Sequence, residues 1–286
     1  MEVPFRILDV FTDRPLAGNQ LCVVPEPVEG IDDDLMQAIA REIGFSETTF
    51  VLEAGRDRYS IRIFTPGEEM PFAGHPTLGT AFLLAAEGRI ASRATQVVRA
   101  GEIAVEVDIV AGVARMRQLP PVFGPAAKAV APLAHAVGLA ERDVRTDLWP
   151  QVVSTGLAHL LVAVRNAEAV TLASPDVEEV HAILEEVAAT GIYVYAVTAD
   201  GEAHARMFAA DIGITEDPAT GSAAGPLGAY LAHHGEAGMP GRLRIRQGAE
   251  IGRPSELFVD VTVAGDTVDV WVQGGVRIVG RGVFQL

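Results

Sequence analysis

The chain matches itself. Arg62-Ile63-Phe64 is followed by TPGEEMPFAGHPTLGTAFLLAAEG, and Arg206-Met207-Phe208 by AADIGITEDPATGSAAGPLGAYLAHHG. Each copy reads Arg, apolar, Phe, then an acidic loop, then a Gly-containing turn, then a helix of small and apolar residues that stops near a Gly. Ala73 aligns with Thr220, Gly74 with Gly221 and His75 with Ser222. A two-copy repeat about half the chain apart predicts two similar domains facing each other across a pseudo-twofold cleft.

The repeated turn has chemical content. A strand ends, a Gly lets the backbone turn sharply, and a helix begins. Pro76 suits a first helical position and Ser222 an N-cap. A helix start carries unpaired N–H groups and about half a positive charge, so it attracts anions. Two such ends in one cleft predict a site for a small carboxylate. Both helices, Leu78–Leu84 and Leu227–Leu231, are apolar nearly all round and therefore buried. Pro226 predicts an irregular start for the second. Taken singly, each turn is also an ordinary helix start with no ligand.

Elsewhere the chain is β-rich. Strand patterns cover Phe5–Phe11, 48–52, 59–64, three runs between 96 and 118, and runs near 151–155, 160–164 and 192–197. Helix patterns cover 35–43, capped by Asp32–Asp34 and stopped by Gly44, and about 175–189. Four further strand runs fill 242–286. Pro120, Pro121, Gly124 and Pro125 mark a linker. The expected fold is α+β: two similar domains, 1–118 and 119–286, each a rolled sheet around a central helix. The last strand, about 277–286, is a candidate to return to the first domain.

Composition bounds the function. The chain of 286 residues is 49% hydrophobic and 21% charged, with net charge −16. That excludes disorder and opposes nucleic acid or an anionic membrane as partner. The single cysteine, Cys22, excludes a disulfide framework and a Cys-cluster metal site. It sits in the apolar run LCVV and reads as core. There is no signal-peptide pattern and no apolar run long enough to span a bilayer, so a cytoplasmic protein is expected. The remaining histidines lack metal-ligand spacing, so no metal is expected. Thr80 stands where a phosphate loop requires Lys. Glu68–Glu69 read as a solvated loop.

Five segments then carry a resemblance: DVFTDRPLAGNQLCVV at the start, GFSETTFV at 44–51, FAGHPTLGTAF at 72–82, STGLAHLLVAV at 154–164 and EDPATGSAAGPLGAYL at 216–231. In this order they resemble the PhzF-like family of phenazine-biosynthesis isomerases, of the diaminopimelate-epimerase-like fold. The resemblance implies a homodimer and a cofactor-free isomerase. It would move a proton within a small unsaturated carboxylic acid such as trans-2,3-dihydro-3-hydroxyanthranilate. The family's catalytic glutamate falls on Glu47. Substrate-binding residues by the same match are His75, Asp217, Ser222, Gly74 and Gly221, with Asn19 and the Ser154–Gly156 stretch as weaker matches. Distant relatives, the epimerases and proline racemases, carry a Cys at each duplicated turn. Here those positions are Ala73 and Thr220, which excludes two-thiol racemisation.

The residues support these roles and leave alternatives. Glu47 lies between hydroxyl residues just before the apolar Phe50-Val51-Leu52, where a carboxylate can serve as acid and base in turn; it is otherwise a solvated loop residue. His75 can donate to a substrate carboxylate or carbonyl. Asp217 can hold a substrate amine or hydroxyl, or serve only as a turn residue before Pro218. His159 reads as structural. The alternative functions are an epimerase or other isomerase on a different metabolite, and a non-catalytic binder of a small acid.

Overall fold

The computed structural model describes residues 1–209 and 215–286; residues 210–214, in the repeat's second acidic loop, lie outside the described residues. The chain forms two compact units, Met1–Arg117 with Gln273–Leu286, and Gln118–Val272. The first holds β1 (Glu2–Val10), β2 (Asn19–Val24), α1 (Asp33–Ile43), β3 (Glu47–Gly55), β4 (Arg58–Phe64), β5 (Glu69–Met70), α2 (Gly74–Ala86), β6 (Arg93–Val98), β7 (Gly101–Asp108) and β8 (Val113–Arg117). The second holds β9 (Val122–Ala126), α3 (Ala131–Ala136), β10 (Gln151–Ser154), β11 (Ala158–Ala163), α4 (Ala167–Leu172), α5 (Val177–Val187), β12 (Ile192–Ala199), β13 (Glu202–Phe208), β14 (Glu216–Asp217), α6 (Gly221–His234), β15 (Arg242–Gln247) and β16 (Ser255–Ala264). The final strand, β17 (Thr267–Gln285), begins in the second unit and ends in the first.

In the first unit β1 runs antiparallel to β2, β2 parallel to β3, β3 antiparallel to β4, β4 parallel to β6, and β6 antiparallel to β7. β7 continues to β8, β8 pairs with β17, and β17 pairs with β1 from Glu2↔Gln285 to Val10↔Val276. The sheet thus closes into a barrel. In the second unit β10, β11, β12, β13, β15 and β16 repeat the same alternation: antiparallel, parallel, antiparallel, parallel, antiparallel. The sequence repeat is therefore a repeat of topology, and the fold is α+β.

The central helices explain the rolled sheets. Every residue of α2 from Gly74 to Ala85 is buried, and of α6 from Gly221 to Leu231. A helix with no polar face has nowhere to go but the middle. α2 touches β1, β2, β3, β7 and β8, while α6 touches β10, β11 and β16. The other helices pack outside through one face. α1 starts where Asp32 Oδ1 accepts from the Leu35 N–H at 2.9 Å and stops at Gly44 in the left-handed conformation. It buries Met36 and Ile39 against Val3, Val24, Phe50 and Phe64. Leu133, Val170, Val180 and Leu184 of α3, α4 and α5 cover Leu160, Val162, Ile192 and Val194.

The repeated Arg-x-Phe has a structural purpose. Arg62 lies 5.0 Å from the Phe64 ring centre and forks onto both oxygens of Glu69 at 2.8 Å. Arg206 lies 4.9 Å from the Phe208 ring and forks onto Glu216 at 2.8 and 2.6 Å. Each pair ties a strand end to the loop before a central helix. Glu69 is thus a mostly covered ion-pair partner, not a solvated loop residue. Two further expectations change. The Pro/Gly stretch is not a linker throughout: residues 122–126 form β9, and Gly124 and Pro125 together oppose Val152 of β10 as a bulge in β9. Residues 242–286 form three strands, because β17 runs unbroken for 19 residues.

Candidate active site

Glu47 is the first residue of β3, 9% exposed. Parallel pairing sets Leu21 of β2 beside Glu47, so the Gln20–Leu21 segment runs alongside the start of β3. His75, in the first turn of α2, meets both. Its Nε2 is 3.1 Å from the Gln20 oxygen and its Nδ1 is 3.4 Å from Glu47 Oε2. A carbonyl oxygen only accepts, so Nε2 carries the hydrogen. Burial pushes the imidazole down from 6.5 to about 3, with the Gln20 bond opposing weakly. Burial outweighs the nearby carboxylate, and the ring is neutral. Nδ1 then bears the lone pair and is the ring nitrogen that lies nearest the Glu47 carboxylate. His75 has no N–H left for a ligand while it holds Gln20.

Behind α2, Tyr59 Oη donates to Gln96 Oε1 at 2.9 Å, Gln96 Nε2 to Thr77 Oγ1 at 2.8 Å, and Thr77 Oγ1 to the Ala73 carbonyl at 2.8 Å. The N-cap is Ala73, without a side-chain cap, so Pro76 is the third helical position rather than the first. It still falls in the turn whose N–H groups lack helical partners.

The second turn is held differently. The N-cap of α6 is Thr220, not Ser222. The Thr220 hydroxyl donates to Asp217 Oδ2 at 2.6 Å, and Gln247 Nε2 donates to the Asp217 carbonyl at 2.8 Å. Asp217 is thereby a turn-fixing carboxylate, 8% exposed. Ser222, in the first turn of α6, has its Oγ 3.1 Å from His159 Nε2. Gln118 Nε2 donates to the Gly221 carbonyl at 2.9 Å, and Thr155 Oγ1 donates to Gln118 Oε1. A Cβ at Gly225 would overlap the Gln118 amide oxygen. Ala223 and Ala224 both donate to the Thr220 carbonyl, so the helix start is irregular, and Pro226 sits inside the helix.

The first unit thus brings Glu47 and His75 together beside Gly74, and the second brings Asp217 and Ser222 together at Gly221. Asn19 opens β2 opposite Val10 and is buried. Ser154 closes β10 and accepts from the Gly156 N–H at 3.2 Å. Sequence reasoning read His159 as structural and passed over Gln96, Gln118 and Gln247. A buried amide beside each repeated turn was the available signal. Cys22 is fully buried and burial pushes its thiol up to about 12, so it is neither thiolate nor nucleophile at neutral pH. Among the described residues no three His, Cys, Asp or Glu gather as a metal site, and no helix is long and apolar enough to cross a membrane.

Known proteins resemble this chain along nearly its whole length. A model of the family described as "Phenazine biosynthesis-like protein" matches residues 8–284. The chain is 36% identical over 287 residues to trans-2,3-dihydro-3-hydroxyanthranilate isomerase of Pseudomonas chlororaphis, covering 98% of each. A Bacillus anthracis phenazine biosynthesis protein of the PhzF family superposes with TM-score 0.90 at 29% identity, covering 100% of both chains. A probable proline racemase from Agrobacterium radiobacter shares the fold alone, with TM-score 0.69 at 12% identity over 99% of this chain and 92% of that one. The chain belongs to the phenazine biosynthesis-like (PhzC-PhzF) protein family and is an isomerase.

Proposed function

We propose that this isomerase moves a proton within a small unsaturated carboxylic acid of the trans-2,3-dihydro-3-hydroxyanthranilate kind, with Glu47 as its single general acid/base. The observation that carries the reading is the contact between Glu47 Oε2 and His75 Nδ1 at 3.4 Å, with the imidazole neutral and its other nitrogen held by Gln20. Ionised, Glu47 takes a proton from carbon; protonated, it has an acceptor in Nδ1 until the proton is returned. Asp217, Ser222, Gly74, Gly221 and Asn19 bind the acid, and His75 positions the Glu47 carboxylate. The reaction is redox-neutral overall, since a proton leaves one carbon and arrives at another, so it calls for no oxidant or reductant.

The test is turnover of trans-2,3-dihydro-3-hydroxyanthranilate, followed by absorbance and NMR, for the wild type and Glu47→Gln. Gln nearly matches Glu in shape but carries no proton between carbons. The loss is expected to reach at least ~100-fold with the fold intact, the usual scale for general acid–base catalysis. Chelator is expected to leave the wild type active. Substantial turnover by folded Glu47→Gln would remove the assignment.

A further inference from the structure

Ser222 answers to His75 in the repeat, yet its surroundings are inverted. In the first unit the imidazole sits on the helix and faces a strand carbonyl. In the second the imidazole sits on the strand, as His159, and faces the helix hydroxyl. β11 and β12 are parallel, with Leu160 beside Ile192, so Thr190 falls next to Ala158. The Thr190 hydroxyl has one proton and gives it to the Ala158 carbonyl at 2.9 Å. Its oxygen is then an acceptor for His159 Nδ1, 3.3 Å away. Nδ1 therefore carries the imidazole hydrogen, and Nε2 bears a lone pair. The Ser222 hydroxyl donates to that lone pair at 3.1 Å.

We propose that His159 is a positioning residue which fixes Ser222 Oγ as an acceptor-only hydroxyl, so that the ligand group it takes is an N–H or O–H. The proposal rests on the reading of Ser222 as a ligand contact given above.

The chain Thr190–His159–Ser222 resembles a nucleophile with its base but is not built as one. Such a base needs a carboxylate behind it to stabilise the imidazolium. Here the third member is a neutral hydroxyl, and burial drives His159 down to about 3. The ring accepts a hydrogen bond and scarcely ever a proton. Gly191 completes the argument. A Cβ there would lie 3.6 Å from His159 Nδ1, yet glycine supplies no side chain. The imidazole therefore has one stable tautomer, and it dictates the direction of the Ser222 hydrogen bond.

The deciding experiment is a long-range proton–nitrogen correlation spectrum of the protein labelled with nitrogen-15 in its histidines, assigned with His159→Gln. His159 is expected neutral and protonated on Nδ1 at pH 7, the opposite tautomer to His75. Protonation on Nε2, or a charged ring, would overturn the proposal. This spectrum is recorded on the free protein and decides the matter whether or not the dihydro-hydroxyanthranilate is turned over; absence of turnover would sink the function proposed above instead. Where turnover is present, kinetics add a second decision. His159→Leu and Ser222→Ala are each expected to raise KM about tenfold, the scale of one hydrogen bond, with kcat little changed. The double variant should be no worse than either single, and His159→Gln, whose Oε1 accepts in the place of Nε2, should keep near wild-type KM. Losses that multiply in the double variant would mean that the two residues act separately.

Discussion

Glu47 and Gly191 hold the same place in the two copies of the repeat. Thr48 pairs with Phe64 as Ile192 pairs with Phe208, and each of the two residues stands one position earlier. Only one of them has a side chain. A Cβ at Gly191 would come within 2.5 Å of Met207 Sδ and 3.1 Å of the Phe208 carbonyl, so a side chain there would have to displace the Met207 thioether and crowd that carbonyl. The repeated topology supplies two helix starts, and only the first has a carboxylate at this place.

A single carboxylate that takes a proton from one carbon holds that same proton when it protonates another. With substrate deuterated at the carbon that loses its hydrogen, a fraction of the label is expected in the product formed in ordinary water. The fraction is set by how fast the Glu47 proton exchanges before its return, and mass spectrometry at early conversion measures it. A two-base enzyme returns none of it. Complete absence of label at the earliest times would count against one shuttling group.

The sequence carried the repeat, the two buried helices and the five motifs because each rests on local residue types. It did not carry the contacts made between distant segments. Nothing near Ser222 announces that its partner is His159, because packing of α6 against β11 creates that contact. Gln118 reaches Gly221 across a similar gap in the chain. Glu69 looked solvated because its partner, Arg62, precedes the loop and folds over it. The helices α3 and α4 are six residues each, too short to show a period. β9 was hidden because Pro125 and Gly124 are poor strand formers that a bulge accommodates.

The two Arg–Glu forks are expected to differ in energy. Arg206 and Glu216 are 9% and 10% exposed, and Arg206 also donates to the carbonyls of Val170, Thr171 and Ala173. Arg206→Met leaves Glu216 buried without its cation, at a cost of about 3–5 kcal/mol. Arg62 and Glu69 are 21% and 17% exposed, and Arg99 stands 3.5 Å from Glu69 as a second cation. Arg62→Met should cost roughly 1–2 kcal/mol, because water screens the remaining charge. Urea unfolding of the two variants compares them; equal losses would contradict the argument from burial.

Gly225→Ala tests the anchoring of α6. The added methyl would overlap the Gln118 amide, which holds the Gly221 carbonyl and accepts from Thr155. Gln118 must move, and overpacking of this kind costs about 1–3 kcal/mol. The damage is expected in KM as well as in stability, since Gly221 is the turn beside Ser222. Pairing the substitution with Gln118→Ala makes room for the methyl and should recover stability relative to the sum of the single losses. Simple additivity in a double-mutant cycle would show that the two groups do not meet.

Stability should fall with acidity earlier than the carboxylates alone allow. His75 and His159 titrate near 3 in the folded chain against 6.5 ordinarily, so between these limits the unfolded state binds more protons and folding weakens as pH drops. Each contributes a slope of up to about 1.4 kcal/mol per pH unit. Asp33 and Glu69, held low by Arg62, act in the same direction only below their usual 3.8 and 4.5. The window from pH 5 to 6.5 therefore isolates the histidines. His135, raised by Glu179, has the opposite sign there, and His234, lowered by burial, has the same sign. Both cancel when the wild type is compared with His159→Gln. The slope of unfolding free energy against pH is expected to drop by roughly 1 kcal/mol per pH unit in that variant. An unchanged slope would mean that His159 takes up its proton in the folded protein as readily as in the unfolded chain, and the neutral imidazole beside Ser222 would have to be given up.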